Sequence, residues 1–127
     1  MSQIQDLRRR VSMSIVSATA LSTALQLDGY RVAAIQWASG TTANAPLTFR
    51  GSQDGSSYFP LWDENGSEIT IASGAFSTAQ ARSIAIGPTM AVQLGAHKYV
   101  RFCRGLSTAE ANVGATAAPF DVILTPW

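Results

Sequence analysis

The feature that most constrains this chain is its succession of short apolar stretches, many alternating with polar residues, broken by Gly, Pro, Asn or Asp from Leu21 onward. Period-two alternation puts every second side chain on one face of an extended strand, and stretches too short for helices must bury that face by stacking sheets or closing a barrel. Strands are expected at Thr23 to Leu27, Arg31 to Ala38, Leu47 to Ser52, Tyr58 to Asp63, Glu68 to Ala72, Arg82 to Ile86, Lys98 to Arg104 and Phe120 to Thr125. About eight such strands fit an all-β fold, a two-sheet antiparallel jelly-roll sandwich. The Asp54-Gly55 and Asn65-Gly66 dipeptides adopt positive φ readily and mark hairpin-like reversals. Gly87-Pro88 ends a strand, Thr89 to Leu94 is expected to form a short helical turn across one end, and Ser39 to Ala45 and Leu106 to Ala118 are longer loops.

The same alternation assigns faces. Phe120, Val122 and Leu124 should point inward opposite Asp121, Ile123 and Thr125, and Val100 and Phe102 inward opposite Arg101 and Cys103. Leu47 and Phe49 share the inner side opposite Thr48 and Arg50, and Trp37, in phase with Ile35, is expected in the core.

Residues 1–20 read differently, with arginines followed by a stretch rich in Ser, Ala and Thr and no turn signal before Asp28-Gly29. They are expected to form an N-terminal arm, able to make a short helix from Gln3 to Arg10, ahead of a sandwich domain at 21–127. Such arms are commonly ordered only by a partner. Arg8, Arg9 and Arg10 are its candidate partner-binding residues. An acidic groove on a neighbouring protein suits them at least as well as phosphate, since three charges give few counterion-release contacts.

Charged residues make up only 13% of the 127 residues, against a usual share of about 25%, so much of the surface is uncharged and suited to packing on partners. Net charge is +1 and arginine far outnumbers the single lysine, Lys98. That balance favours protein contacts over nucleic acid, which calls for a clustered basic face. Cys103 is the only cysteine, so no disulfide forms within the chain and an inert packing role is expected. His97 is the only histidine, which leaves no serine-protease-like triad and reads as a solvated loop residue. Most carboxylates fall in expected turns. A calcium site over Asp63, Glu64, Asn65 and Glu68 is the metal alternative, but its spacing is not that of an EF-hand and turn chemistry accounts for the residues.

No catalytic residue, metal or cofactor is therefore expected, and the chain reads as a non-enzyme. No apolar run approaches the roughly 18 residues that span a bilayer. The polar, arginine-bearing start reads as a protein made in the cytoplasm without a signal peptide. Trp62 and Trp127 are the candidate interface or ligand-stacking aromatics.

Two segments carry a resemblance. Leu47-Thr48-Phe49-Arg50-Gly51-Ser52-Gln53-Asp54-Gly55-Ser56-Ser57-Tyr58-Phe59-Pro60-Leu61 resembles the Asp-Gly hairpin of galactose-binding-like jelly rolls of the discoidin type, and Lys98-Tyr99-Val100-Arg101-Phe102 a later strand of those domains. The fuller order is more similar to small phage and prophage structural proteins. It runs through Leu27-Asp28-Gly29-Tyr30-Arg31, that hairpin, Trp62-Asp63-Glu64-Asn65-Gly66-Ser67-Glu68-Ile69, Tyr99 to Arg104, and Val122 to Pro126. This resemblance covers about residues 25 to 127. It implies a virion component without catalysis, such as a capsid decoration or cementing protein, docking through its arm onto other virion proteins and self-associating, with a trimer favoured. The alternative is a receptor- or glycan-binding module of a tail fibre or baseplate, with Tyr58, Phe59, Trp62 or Phe76 stacking on sugar rings.

Overall fold

The computed structural model describes residues 7–37, 45–75, 81–113 and 118–127. Among these residues there are ten strands: β1 (Arg9–Ile15), β2 (Leu25–Gln26), β3 (Tyr30–Trp37), β4 (Leu47–Ser52), β5 (Phe59–Pro60), β6 (Thr70–Ile71), β7 (Arg82–Ala85), β8 (Tyr99–Leu106), β9 (Ala109–Glu110) and β10 (Ala118–Pro126). A 3-10 turn covers Ser73–Ala75, and one helix, α1 (Pro88–Gly95), begins with the proline at its first turn. All pairings between strands are antiparallel, in one sheet ordered β1-β10-β3-β7 and another ordered β2-β8-β4-β5, with β6 also on β4 and β9 on β8.

This is a two-sheet antiparallel sandwich of the jelly-roll kind, in which the chain passes from one sheet to the other at each step except from β4 through β6 and from β8 to β9. Because β8 occupies one side of β4 along its whole length, β5 and β6 share the other side as one interrupted lane. The hairpin between them, Trp62 to Glu68, therefore projects from the sheet edge, closed by the Trp62–Glu68 bridge. The eight expected strands correspond to β2 through β8 and β10, and two are additional.

The additional strand of most consequence is β1. Residues 9–15, expected in a free arm, instead pair in continuous register with β10 from Arg9 opposite Leu124 to Ile15 opposite Ala118. The physical reason is an alternation within the arm: Met13 and Ile15 are buried while Ser12 and Ser14 are not. Arg10 likewise is not free to reach a partner, because its Nε and Nη2 donate to Asp121 Oδ2 at 3.0 and 2.5 Å, with Ser12 Oγ donating to Oδ1 at 3.0 Å. The Arg10 guanidinium, and secondarily Ser12, hold the Asp121 carboxyl below its ordinary range. Of the helix considered for Gln3 to Arg10, Arg9 and Arg10 lie in β1, and Gln3 to Asp6 lie outside the described residues.

The core is aromatic across the sheet interface. Phe49 and Phe102 from one sheet meet edge-on, Phe102 meets Phe120 of the other, and Phe120 stacks on Trp37 at 4.5 Å. In β3 the buried residues are Val32, Ile35 and Trp37, a spacing of three and then two. A bulge there, opposite Ile123 and Leu124, inserts the extra residue that returns both Val32 and Ile35 to the inner face.

Thr48 and Cys103 face away from Phe49 and Phe102, as their alternation implies, and both are nevertheless buried. Thr48 Oγ1 is satisfied by the Gly105 carbonyl at 2.7 Å. The neighbouring chain supplies cover: Arg50 pairs with Glu110 of β9, and Glu68 accepts from the Ser107 N–H. Burial pushes the Cys103 thiol upward, which keeps it protonated and unreactive.

Candidate functional site

One end of the sandwich carries two clefts, each bordered by an exposed tryptophan. At this end β3 begins, β10 finishes, and α1 runs into the Ala96-His97-Lys98 turn before β8. Of the seven large apolar side chains exposed among the described residues, both tryptophans, Trp62 and Trp127, border clefts here. Scattered exposed apolar residues are ordinary, whereas two tryptophans at adjoining clefts are the pattern of a contact surface.

The turns that build this end use local chemistry. Asp28 and Gly29, at φ of 50° and 81°, reverse the chain from β2 into β3. After β4, Asp54 Oδ1 accepts the N–H groups of Ser57 at 2.9 Å and Ser56 at 2.8 Å, and the Ser52 hydroxyl at 3.0 Å. Those donors hold the Asp54 carboxyl below its usual range. In the projecting hairpin it is Asp63 that caps the turn, its Oδ1 accepting from Asn65 N and Ser67 N at 2.9 and 3.0 Å, while Gly66 takes the positive φ of 82°. Asp63 and Glu68, two of the four ligands of the calcium alternative, are thus already engaged with backbone donors, and no group of three or more His, Cys, Asp or Glu side chains converges among the described residues.

Two glycines let aromatic rings settle at this end. A Cβ on Gly51 would stand 2.4 Å from the His97 ring, and one on Gly95 would stand 2.4 Å from the Trp127 indole. His97 therefore lies on the inner side of β4 rather than in open solvent, and the Gln53 side-chain amide fastens the adjoining Ala96 carbonyl at 2.8 Å. The Ala96-His97 ridge separates two clefts. One, of about 320 Å³, is bordered by Asp28, Tyr30, Gln53, Lys98 and Trp127. The other, of about 500 Å³, lies between α1 and the Trp62–Glu68 hairpin and is bordered by Trp62, Glu64, Asn65, Thr89 and Gln93.

The residues singled out from sequence separate accordingly. The Arg9 guanidinium lies over the Tyr30 ring, 5.1 Å from its centre, and Tyr30 shares the smaller cleft with Trp127. Arg8 is exposed immediately before β1 at the same corner. Trp62 stands across the ridge in the larger cleft, and Arg10 belongs to neither, lying with Asp121 beside a third hollow of about 530 Å³ at the far end. Tyr58 is covered by the Arg101 guanidinium at 5.5 Å, Phe59 is exposed, and Phe76 lies outside the described residues. Sequence reasoning passed over Tyr30, Gln93 and the seating glycines, because nothing in a local pattern announces that a distant ring will rest on them.

His97 gives this end a pH response. Burial lowers its pKa from 6.5, so the unfolded chain takes up the proton first on acidification. Stability should fall as pH drops through about 6.5 and level off below the folded-state pKa. Denaturant midpoints of the native chain and of His97→Gln, compared from about pH 7.5 to 5.5, should show the larger decline in the native chain; parallel curves would show that His97 titrates as it does in the unfolded chain.

In comparison with known proteins, no family model, curated protein or solved structure matches this chain.

Proposed function

We propose that the protein is a non-enzymatic structural subunit of a phage virion, of the capsid decoration or cementing kind, which docks on an acidic patch of a shell protein and self-associates. The observation that carries this reading is the corner where Arg9 lies over the Tyr30 ring and Tyr30 shares a cleft with Trp127, with exposed Leu7 and Arg8 immediately ahead of Arg9 in the chain. Arginine and large aromatics are the side chains that most often dominate protein interfaces. Docking here differs from docking by a free arm, because β1 holds the chain in the sheet from Arg9 onward. The low proportion of charge and the outer edge of β1 from Arg9 to Met13 favour self-association.

The test removes residues 1–8, which leaves β1 whole, and separately replaces Trp127 with alanine. Each change is expected to weaken binding to shells assembled without the protein by about tenfold or more, with the thermal unfolding midpoint of the deletion variant preserved. Sedimentation with the shells reads the outcome, and undiminished binding by both variants would falsify docking at this corner.

A further inference from the structure

We infer that the larger cleft, between α1 and the Trp62–Glu68 hairpin, is a binding site for a neutral saccharide. This does not rest on the docking reading, which uses the opposite side of the His97 ridge.

The cleft encloses about 500 Å³, within the roughly 300–1,000 Å³ range of small-molecule sites. Its chemistry is that of sugar recognition. A pyranose has an apolar C–H face and a rim of hydroxyls, so it is met by an exposed aromatic ring together with side chains that both donate and accept hydrogen bonds. Trp62, 52% exposed at the hairpin neck, supplies the ring. Gln93 and Thr89, four residues apart on one face of α1, and Asn65 from the hairpin tip supply amides and a hydroxyl. The helix turns Ala91 and Leu94 into the core, which fixes the direction in which Thr89 and Gln93 face.

The same lining indicates which sugars. It contains Asp63 and Glu64 and neither lysine nor arginine. Phosphorylated, sulfated or sialylated ligands would meet carboxylates without a cation to offset them, so the site selects uncharged hexoses and N-acetylhexosamines. Its walls are also pre-formed where it matters: Asp63 caps the hairpin, and Gln53 and His97 hold the ridge behind it.

The experiment is saturation-transfer NMR on the full chain with disaccharides containing glucose, galactose, mannose or N-acetylglucosamine, each at about 10 mM, beside sialyllactose, since single-site sugar affinities at this level of contact are millimolar. At least one neutral disaccharide should receive saturation and sialyllactose should not. Trp62→Ala and, on the solvent side of α1, Gln93→Ala should each weaken the response about tenfold with unchanged unfolding midpoints, while Trp127→Ala should leave it intact. No transfer to any neutral sugar, a preference for sialyllactose, or equal transfer in both cleft variants would overturn the assignment. Undiminished shell docking by the residue 1–8 deletion and by Trp127→Ala, with sugar binding found, would strike only the earlier reading.

Discussion

Replacing Phe102 with alanine should lower the unfolding free energy by about 3–5 kcal/mol, a large part of the 5–15 kcal/mol available to a domain of this kind. Phe102 is fully buried and stands edge-on to Phe49 at 5.4 Å and to Phe120 at 5.2 Å, and Phe120 in turn stacks on Trp37. Phe49 and Phe102 belong to one sheet and Phe120 and Trp37 to the other, so this ring is the link through which the two layers interlock. Truncation would remove both edge contacts and leave a void that neighbouring strands, fixed by their ladders, cannot close. Its backbone makes matters worse for relaxation: Phe102 N–H donates to Ser22 Oγ and its carbonyl accepts from Ser22 N, both at 2.8 Å. Phe59→Ala is the matched comparison, since that ring is 67% exposed and should change stability by no more than about 0.5 kcal/mol. Equilibrium denaturation of the two variants measures the contrast, and similar midpoints would mean that Phe102 does not join the sheets.

Why this core was readable, and the contact surface largely was not, follows from the range of the forces involved. Inward placement of Phe102, Phe120, Val122 and Leu124 is dictated by strand period alone, a local property of the sequence. The bulge in β3 is not local: it is needed because Val32 and Ile35 must both face inward while their partners on β10 keep a regular spacing. Thr48 and Cys103 illustrate a second limit. Their face was evident from alternation, but their burial depends on Glu68, Glu110 and Gly105 arriving from elsewhere in the chain. The site has the same character. Trp62 and Trp127 drew notice as aromatics, whereas their placement on either side of one histidine ridge arises from Gly51 and Gly95, whose role is to lack a side chain where a ring must rest.

The N-terminal segment supplies the sharpest division between what is structural and what is available for binding. Deleting residues 1–8 should leave the fold intact, whereas deleting residues 1–15 should abolish it, because the second deletion removes β1. That strand contributes the buried Met13 and Ile15, and truncating one such side chain to alanine typically costs about 2–5 kcal/mol. Both losses together approach the full stability of a small domain. The deletion also strips Arg10 from Asp121 and uncovers the edge of β10, a strand with Phe120, Val122 and Leu124 on one face, along its length from Ala118 to Leu124. An uncovered apolar strand invites pairing with other chains, so the longer deletion should accumulate as aggregate rather than as a loosened monomer. Ile15→Ala provides the graded version, with an expected loss of about 2–5 kcal/mol in a protein that still folds. Circular dichroism, amide dispersion in NMR and the soluble yield would distinguish the cases. A chain starting at residue 16 that unfolds cooperatively at the native midpoint would return residues 9–15 to the status of an arm, and with it the idea that Arg10 is free to serve a partner.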